Sequence, residues 1–151
     1  MELMIVIVII GILSAVGMVM FGGQTEKAKI AAMKTIHDNI IKTIAFEMLQ
    51  CTLGETYFMV GTNKYGGNYR VSCGTTPEWL AASARNGIYN SATYKNPWEP
   101  TQWAVVEVTT KPYFEKGKII VSSSGNEVSV RSCWADGCDS SNRKLDTIVT
   151  D

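Results

Sequence analysis

Glu2-Leu3-Met4-Ile5-Val6-Ile7-Val8-Ile9-Ile10-Gly11-Ile12-Leu13-Ser14-Ala15-Val16-Gly17-Met18-Val19-Met20-Phe21 opens with an acid and carries almost nothing polar behind it. From Leu3 to Phe21 there are nineteen residues, and Ser14 is the only polar side chain among them. At 1.5 Å per residue, a helix of that length is roughly 28 Å long, about one hydrocarbon core. A water-soluble domain has little use for such a segment. Three readings compete: a signal peptide, a plain membrane anchor, or a helix that passes from a membrane into a protein assembly. A signal peptide begins with positive charge and closes at a small-residue cleavage site. Here Glu2 leads the run and the first basic residue is Lys27, which weighs against that reading. Gly11 and Gly17 lie inside the run and Gly22-Gly23 ends it. Glycine within a helix costs roughly 1 kcal/mol relative to alanine, and small residues also let membrane helices approach closely.

Beyond Gly23 the pattern becomes amphipathic but stays helical. Ile30, Met33, Ile36 or His37, Ile40, Ile41, Ile44 and Met48 recur at steps of three and four. Lys34, Asp38 and Lys42 are spaced for i, i+4 pairing on another face. The first proline is Pro77, so one helix is expected from Glu2 to about Gln50, roughly 74 Å if continuous. That exceeds any bilayer and any span a small head can cover. Residues 1–23 are therefore expected to protrude, and residues 24–151 to form the head together with the amphipathic half of the helix.

The rest of the chain reads as one small soluble domain. Overall 46% of residues are apolar, 19% are charged and the net charge is zero, so no electrostatic case arises for nucleic acid. Residues 52–76 read as a mostly irregular connection, with Tyr69–Cys73 extended. Thr76-Pro77 is a helix start, and the helix is expected to stop near Arg85, before Asn86-Gly87. Asn96-Pro97-Trp98-Glu99-Pro100 is a turn-rich stretch. Strands are expected at Trp103–Val108, Lys118–Ser122 and Glu127–Cys133, the last two joined through Ser123-Ser124-Gly125-Asn126. Three antiparallel strands closing over one face of the long helix give an α+β head.

The four cysteines, Cys51, Cys73, Cys133 and Cys138, form an even set behind an apolar segment, which points to disulfides and an oxidising compartment. Three pairings are possible, and proximity along the chain favours Cys51–Cys73 and Cys133–Cys138. Zinc is disfavoured, because no CxxC spacing occurs and the one histidine, His37, is remote from the C-terminal pair. His37 lies on or beside the apolar helix face and reads as a satisfied histidine under the head. Asp136, Asp139, Asn142 and Asp146 offer oxygens at close spacing and are weak calcium candidates. Their spacing is not that of an EF-hand, so a solvated loop is the plainer reading. The numerous aromatics of the head, Trp79, Trp98, Trp103 and Trp134 among them, read as core or loop stacking. No nucleophile motif or catalytic cluster appears, and no cofactor is implied.

Glu2 is the most informative residue, since a carboxylate beside such a run is expensive in lipid unless it snorkels at the boundary or finds a partner. Glu2 to Leu13 resembles the N-terminal signature of type IV pilins and their relatives the pseudopilins. In that family a leader ends in glycine, and the mature chain opens with an N-methylated aromatic residue, commonly within Phe-Thr-Leu-Ile-Glu-Leu. Glu2 matches the glutamate, Leu3 the leucine after it, and Gly11 the glycine of Gly-Ile-Leu; Met1 stands where isoleucine is usual. The match covers about residues 2–13, while the long helix and cysteine-bearing head agree in layout alone.

The resemblance implies a pilin-like fold: a long N-terminal helix packed on a small antiparallel sheet with disulfide-bonded loops. It implies a non-enzymatic subunit, held in the bacterial inner membrane, processed by a prepilin peptidase and inserted by pilus assembly machinery into a homo-oligomeric helical filament on the cell surface. Glu2 would then pair with the N-terminal amine of a neighbouring subunit. Lys27 and Lys29 would by the positive-inside rule face the cytoplasm. The cysteines place the head outside and are given more weight, because the family's leader carries the orienting charges. Two other readings stand beside this one: a pseudopilin of a type II secretion system, with a short periplasmic filament, and a single-span anchored binding domain or enzyme.

Overall fold

The computed structural model describes residues 2–62, 67–74, 76–90, 93–106 and 115–150, and their side chains except at 2, 18–22, 59–62, 68 and 69. It is an α+β chain. Helix α1 spans Glu2–Thr52, a hairpin of β1 (Tyr57–Thr62) and β2 (Asn68–Ser72) follows, and then helix α2 (Pro77–Asn90). Strands β3 (Val105–Val106), β4 (Ile119–Ser124), β5 (Glu127–Cys133) and β6 (Arg143–Val149) form a four-stranded sheet in that order.

The C-terminal half of α1 supplies the first layer of the core. Met33, His37, Ile40 and Ile44 follow steps of four, three and four, so they share one face, and all four are fully buried. Helix α1 closes with a Schellman motif. Gly54 adopts φ 95°, its N–H donates to Cys51 O (3.1 Å), and Glu55 N donates to Gln50 O (3.1 Å). The sharp stop lets the chain turn into β1, whose Phe58 returns to the core. The β1–β2 hairpin corrects the expectation of an irregular connection over 52–76. Its glycines and asparagines suggested loop, but Phe58 and Val71 are buried cross-strand partners.

Helix α2 begins as its sequence signals. Thr76 Oγ1 accepts from Trp79 N (3.4 Å), Pro77 occupies the first turn, and Glu78 sits where the helix dipole favours an acid. It ends at Asn90, one turn beyond the expected stop near Arg85. Gly87 lies on the face buried with Leu80, Ala84 and Ile88, so tertiary packing outweighs the roughly 1 kcal/mol that a helical glycine costs.

In the larger sheet β4, β5 and β6 are antiparallel, and β3 adds in parallel beside β4. Parallel pairing of β3 corrects the all-antiparallel expectation, and positions 107 and 108 of the expected strand lie outside the described residues. The β4–β5 connection is tighter than expected: Ser123 and Ser124 belong to β4, and Gly125 (φ 56°) and Asn126 make the turn. Strand β6 corrects the reading of this region as a solvated loop. It is secured at its end, where Thr150 N donates to Asn126 O (2.7 Å) and Asn126 Nδ2 donates to Thr150 O (3.1 Å). A second constraint lies at Gly117 (φ 79°), where a Cβ would overlap the amide of buried Asn96. Asn96 Oδ1 in turn accepts from Trp98 N (2.8 Å), so this glycine lets the chain pass over the Asn96–Trp98 turn.

Both disulfides join the cysteines that proximity favoured. Cys51–Cys73 ties the end of α1 to the end of β2 across 22 residues, and Cys133–Cys138 closes a loop across 5. Chain-entropy arguments assign about 3 kcal/mol to the first and about 2 kcal/mol to the second. Replacing Cys51 and Cys73 together by serine is therefore expected to lower the denaturation midpoint more than replacing Cys133 and Cys138. Chemical denaturation of the full chain in a nonionic micelle checks the ranking.

Candidate functional site

The most unusual surface of the molecule is the N-terminal half of α1. Leu3, Met4, Ile5, Val6, Ile7, Val8, Ile9, Ile10, Ile12, Leu13 and Val16 are each more than half exposed, from 51% at Ile9 to 76% at Leu3. Covering these side chains is worth on the order of 10 kcal/mol, and soluble proteins do not leave contiguous apolar patches of this size open. Ser14 does not break the surface, since its hydroxyl donates to Ile10 O (2.7 Å) within the helix. Around Gly11 and Gly17 an added Cβ would meet nothing within 4 Å, so no described neighbour in this chain requires glycine at either position. Leu3 and Gly11 lie on this open surface. The backbone of Glu2 begins α1, while its side chain lies outside the described residues. The described apolar side chains 3–17 would span about 22 Å, less than a hydrocarbon core of about 30 Å. Among the described residues no helix is long and apolar enough to cross a membrane.

The helix is fastened to the head from Glu26 onward. Lys116 Nζ bonds Glu26 Oε1 (2.7 Å), and the indole N–H of Trp98 donates to the same carboxylate (3.0 Å to Oε1). Lys116 also stands over the Trp98 ring, 5.1 Å from its centroid. Hydrogen bonds from Lys116 first and Trp98 second hold the Glu26 carboxyl below its ordinary range. Two turns further along, Lys34 lies over the ring of Trp134, 4.7 Å from the centroid, which brings the Cys133–Cys138 loop to the helix.

A third fastening crosses from α1 to β6. Lys144 Nζ bonds Asp38 Oδ1 (2.6 Å) and Asp146 Oδ2 (3.1 Å), and His37 Nε2 lies 3.0 Å from that same Asp146 oxygen. Asp38 therefore pairs across the fold with Lys144, while Lys42, one turn further along α1, acts on it more weakly through space. Lys144's hydrogen bond lowers Asp38, and bonds to Asp38 and then Asp146 raise Lys144. Burial pushes Asp146 upward, but hydrogen bonds from Lys144 and His37 outweigh it and the group is lowered. His37 is lowered chiefly by burial, against the pull of Asp146. These directions describe a neutral imidazole donating from Nε2 to an ionised carboxylate. His37 Nδ1 is buried with no hydrogen-bond partner among the described residues, which disfavours a proton there.

The calcium candidates sit in different surroundings. Asp139 Oδ1 accepts from Ser141 N (3.0 Å) and Ser141 Oγ (2.6 Å), Asp136 is exposed, Asn142 O accepts from Trp134 N (3.0 Å), and Asp146 faces α1. Among the described residues no group of three or more His, Cys, Asp or Glu is placed to hold a metal. Glu26, Lys116 and Lys144 had no local signal, because each acts through a partner at least seventy residues away in sequence. No protein-family model matches this chain, and neither a curated protein nor a solved structure matches it.

The α1–β6 fastening sets a pH dependence. His37 is lowered in the fold, so its contribution is complete above its ordinary value of 6.5 and is lost as pH falls through the folded value. Asp38 and Asp146, also lowered, contribute above the ordinary 3.8 and add further loss at stronger acidity. The thermal midpoint of the head is expected to fall as pH drops below 6.5. In His37→Gln, which keeps a donor for Asp146 but does not titrate, the decline above the carboxylate range is expected to flatten. Near-UV circular dichroism melts between neutral pH and pH 5 check this.

Proposed function

We propose that this chain is a structural subunit of a type IV pilus-like filament on a bacterial surface. One observation carries the reading: eleven large apolar side chains between Leu3 and Val16 stand exposed on a helix that is seen fastened to the head further along, at Glu26 and beyond. A surface of that size needs a cover, and a second copy of the same helix supplies one of matching chemistry. Gly11 and Gly17, with nothing close to a Cβ among the described residues, allow neighbouring helices to approach closely. Before assembly the same run, continued in sequence to Phe21, resides in the inner membrane with the disulfide-bonded head outside. The resemblance of residues 2–13 to the pilin signature supports this order of events, with a prepilin peptidase and assembly machinery as the partners it implies.

Glu2 sets register in this scheme. The nearest basic residue in sequence is Lys27, about 37 Å away along a straight helix. A carboxylate buried among apolar helices costs several kcal/mol unless paired, and a neighbour's terminal amine is a suitable cation. Expressed from a full precursor, Glu2→Leu is expected to keep membrane residence and both disulfides. Its filament yield is expected to drop about tenfold or more, because the amine then lacks its partner. Electron microscopy and quantitation of sheared surface fractions at matched membrane levels measure this. Wild-type yield from the mutant would leave Glu2 as a boundary residue. Assemblies confined to the periplasm would favour a secretion pseudopilin instead.

A further inference from the structure

The two edges of the four-stranded sheet differ. At one edge β3 is two residues long, too short to template a further strand. At the other, β6 has seven residues, pairs with β5 without a register shift and contains no proline. Hydrogen bonds at its two ends fix which way its backbone faces. Thr150 N donates to Asn126 O (2.7 Å), and Trp134 N donates to Asn142 O (3.0 Å). Both continue the register that sets Val130 opposite Asp146, so the even positions of β6 turn their N–H and C=O groups toward β5. Cys133 N donates to Lys118 O (3.2 Å), which turns the odd positions of β5 toward β4 and agrees with this parity. The N–H and C=O groups of Arg143, Leu145, Thr147 and Val149 therefore point to the open edge. Among the described residues none of these groups has a hydrogen-bond partner.

The charges that usually blunt an edge are turned away from this one. Lys144 and Asp146 bond Asp38 and His37 of α1, which leaves Arg143, at the first position, as the one charge among the odd positions. The other odd positions, Leu145, Thr147 and Val149, are all exposed. Leu145 and Val149 stand symmetrically about Thr147, so the strand is its own complement.

We propose that the open edge of β6 pairs with the same edge of a second copy of this chain, antiparallel and centred on Thr147. Thr147 then faces its counterpart, and Leu145 faces Val149 on either side of it. These three pairs exchange about six backbone hydrogen bonds and cover both exposed apolar side chains of each strand. Centring on Asp146 would set two carboxylates face to face, and centring on Leu145 would leave Val149 without an apolar partner. The two-fold axis is normal to the sheet. The α1 helices packed on the sheet therefore run in opposite directions, and their apolar N-terminal halves extend away from each other. The contact joins chains held in separate micelles, membranes or filaments, and it does not rest on the filament reading. One strand pair is smaller than the roughly 1,200 Å² of a stable complex, so the association is weak in dilute solution.

The test is crosslinking of the full chain in nonionic micelles at high protein concentration. All four described cysteines are disulfide-bonded, so an introduced thiol is the only one to react. Thr147→Cys with a short bis-maleimide is expected to give a covalent dimer. Arg143→Cys, whose counterpart would lie about 27 Å away along the paired strands, is expected to give almost none. Chains carrying Leu145→Cys mixed with chains carrying Val149→Cys are expected to crosslink to each other. Adding Leu145→Lys to Thr147→Cys is expected to cut the dimer about fivefold or more, because two apolar cross-strand pairs are lost. Leu145 is more than half exposed, so this variant keeps the fold. No dimer from Thr147→Cys, equal yields from Arg143→Cys and Thr147→Cys, or a yield that Leu145→Lys leaves unchanged would overturn the pairing.

Discussion

A helix of fifty-one residues is about 76 Å long, and the small head beside it covers only one end. Everything else in the molecule is organised around that mismatch. Where α1 meets the head, its buried face is a narrow line of Met33, His37, Ile40 and Ile44 against a sheet and a second helix. Where it does not, apolar side chains stand on every side of the helix. A helix apolar all round is stable only when surrounded by protein or lipid, while one with a single apolar stripe sits on a core. The described side chains of α1 thus differ in their surroundings: exposed and apolar over 3–16, and packed on the head over the face that holds Met33 to Ile44.

The fastening of α1 to the head is largely polar. Glu26 takes a lysine and an indole, Lys34 takes an aromatic face, and Asp38 and His37 meet Lys144 and Asp146. Such contacts fix direction and register better than they stabilise, since exposed ion pairs contribute little individually. Spread over about three turns, these contacts set the rotation of the helix about its axis more firmly than an apolar stripe alone would. The Schellman turn and the Cys51–Cys73 bond hold the far end.

Strand β6 shows how this fastening shapes the sheet. Its burial alternates, but the polarity is inverted: Lys144 and Asp146 face inward while Leu145 and Val149 are more than half exposed. Inward charges are tolerated because α1 presents Asp38 and His37 to receive them. On the outer face the same alternation sets Arg143 beside Arg131.

The sequence by itself determined the helical course of the first fifty residues, the amphipathic face that packs on the head, the start of α2, the β4–β5 hairpin and the disulfide pairing. Each rests on local periodicity, on capping residues such as Thr76 and Pro77, or on short loop closures, all of which act over a few residues. Only the tertiary structure decided the rest. The β1–β2 hairpin is composed like a loop and becomes sheet because Phe58 and Val71 find a core. Helix α2 runs past Asn86-Gly87 because Gly87 is buried. Strand β6 reads as a charged loop until His37 and Asp38, more than a hundred residues earlier, give its inward charges their partners. Burial and ion pairing are properties of distant residues brought together, so no window along the chain contains them.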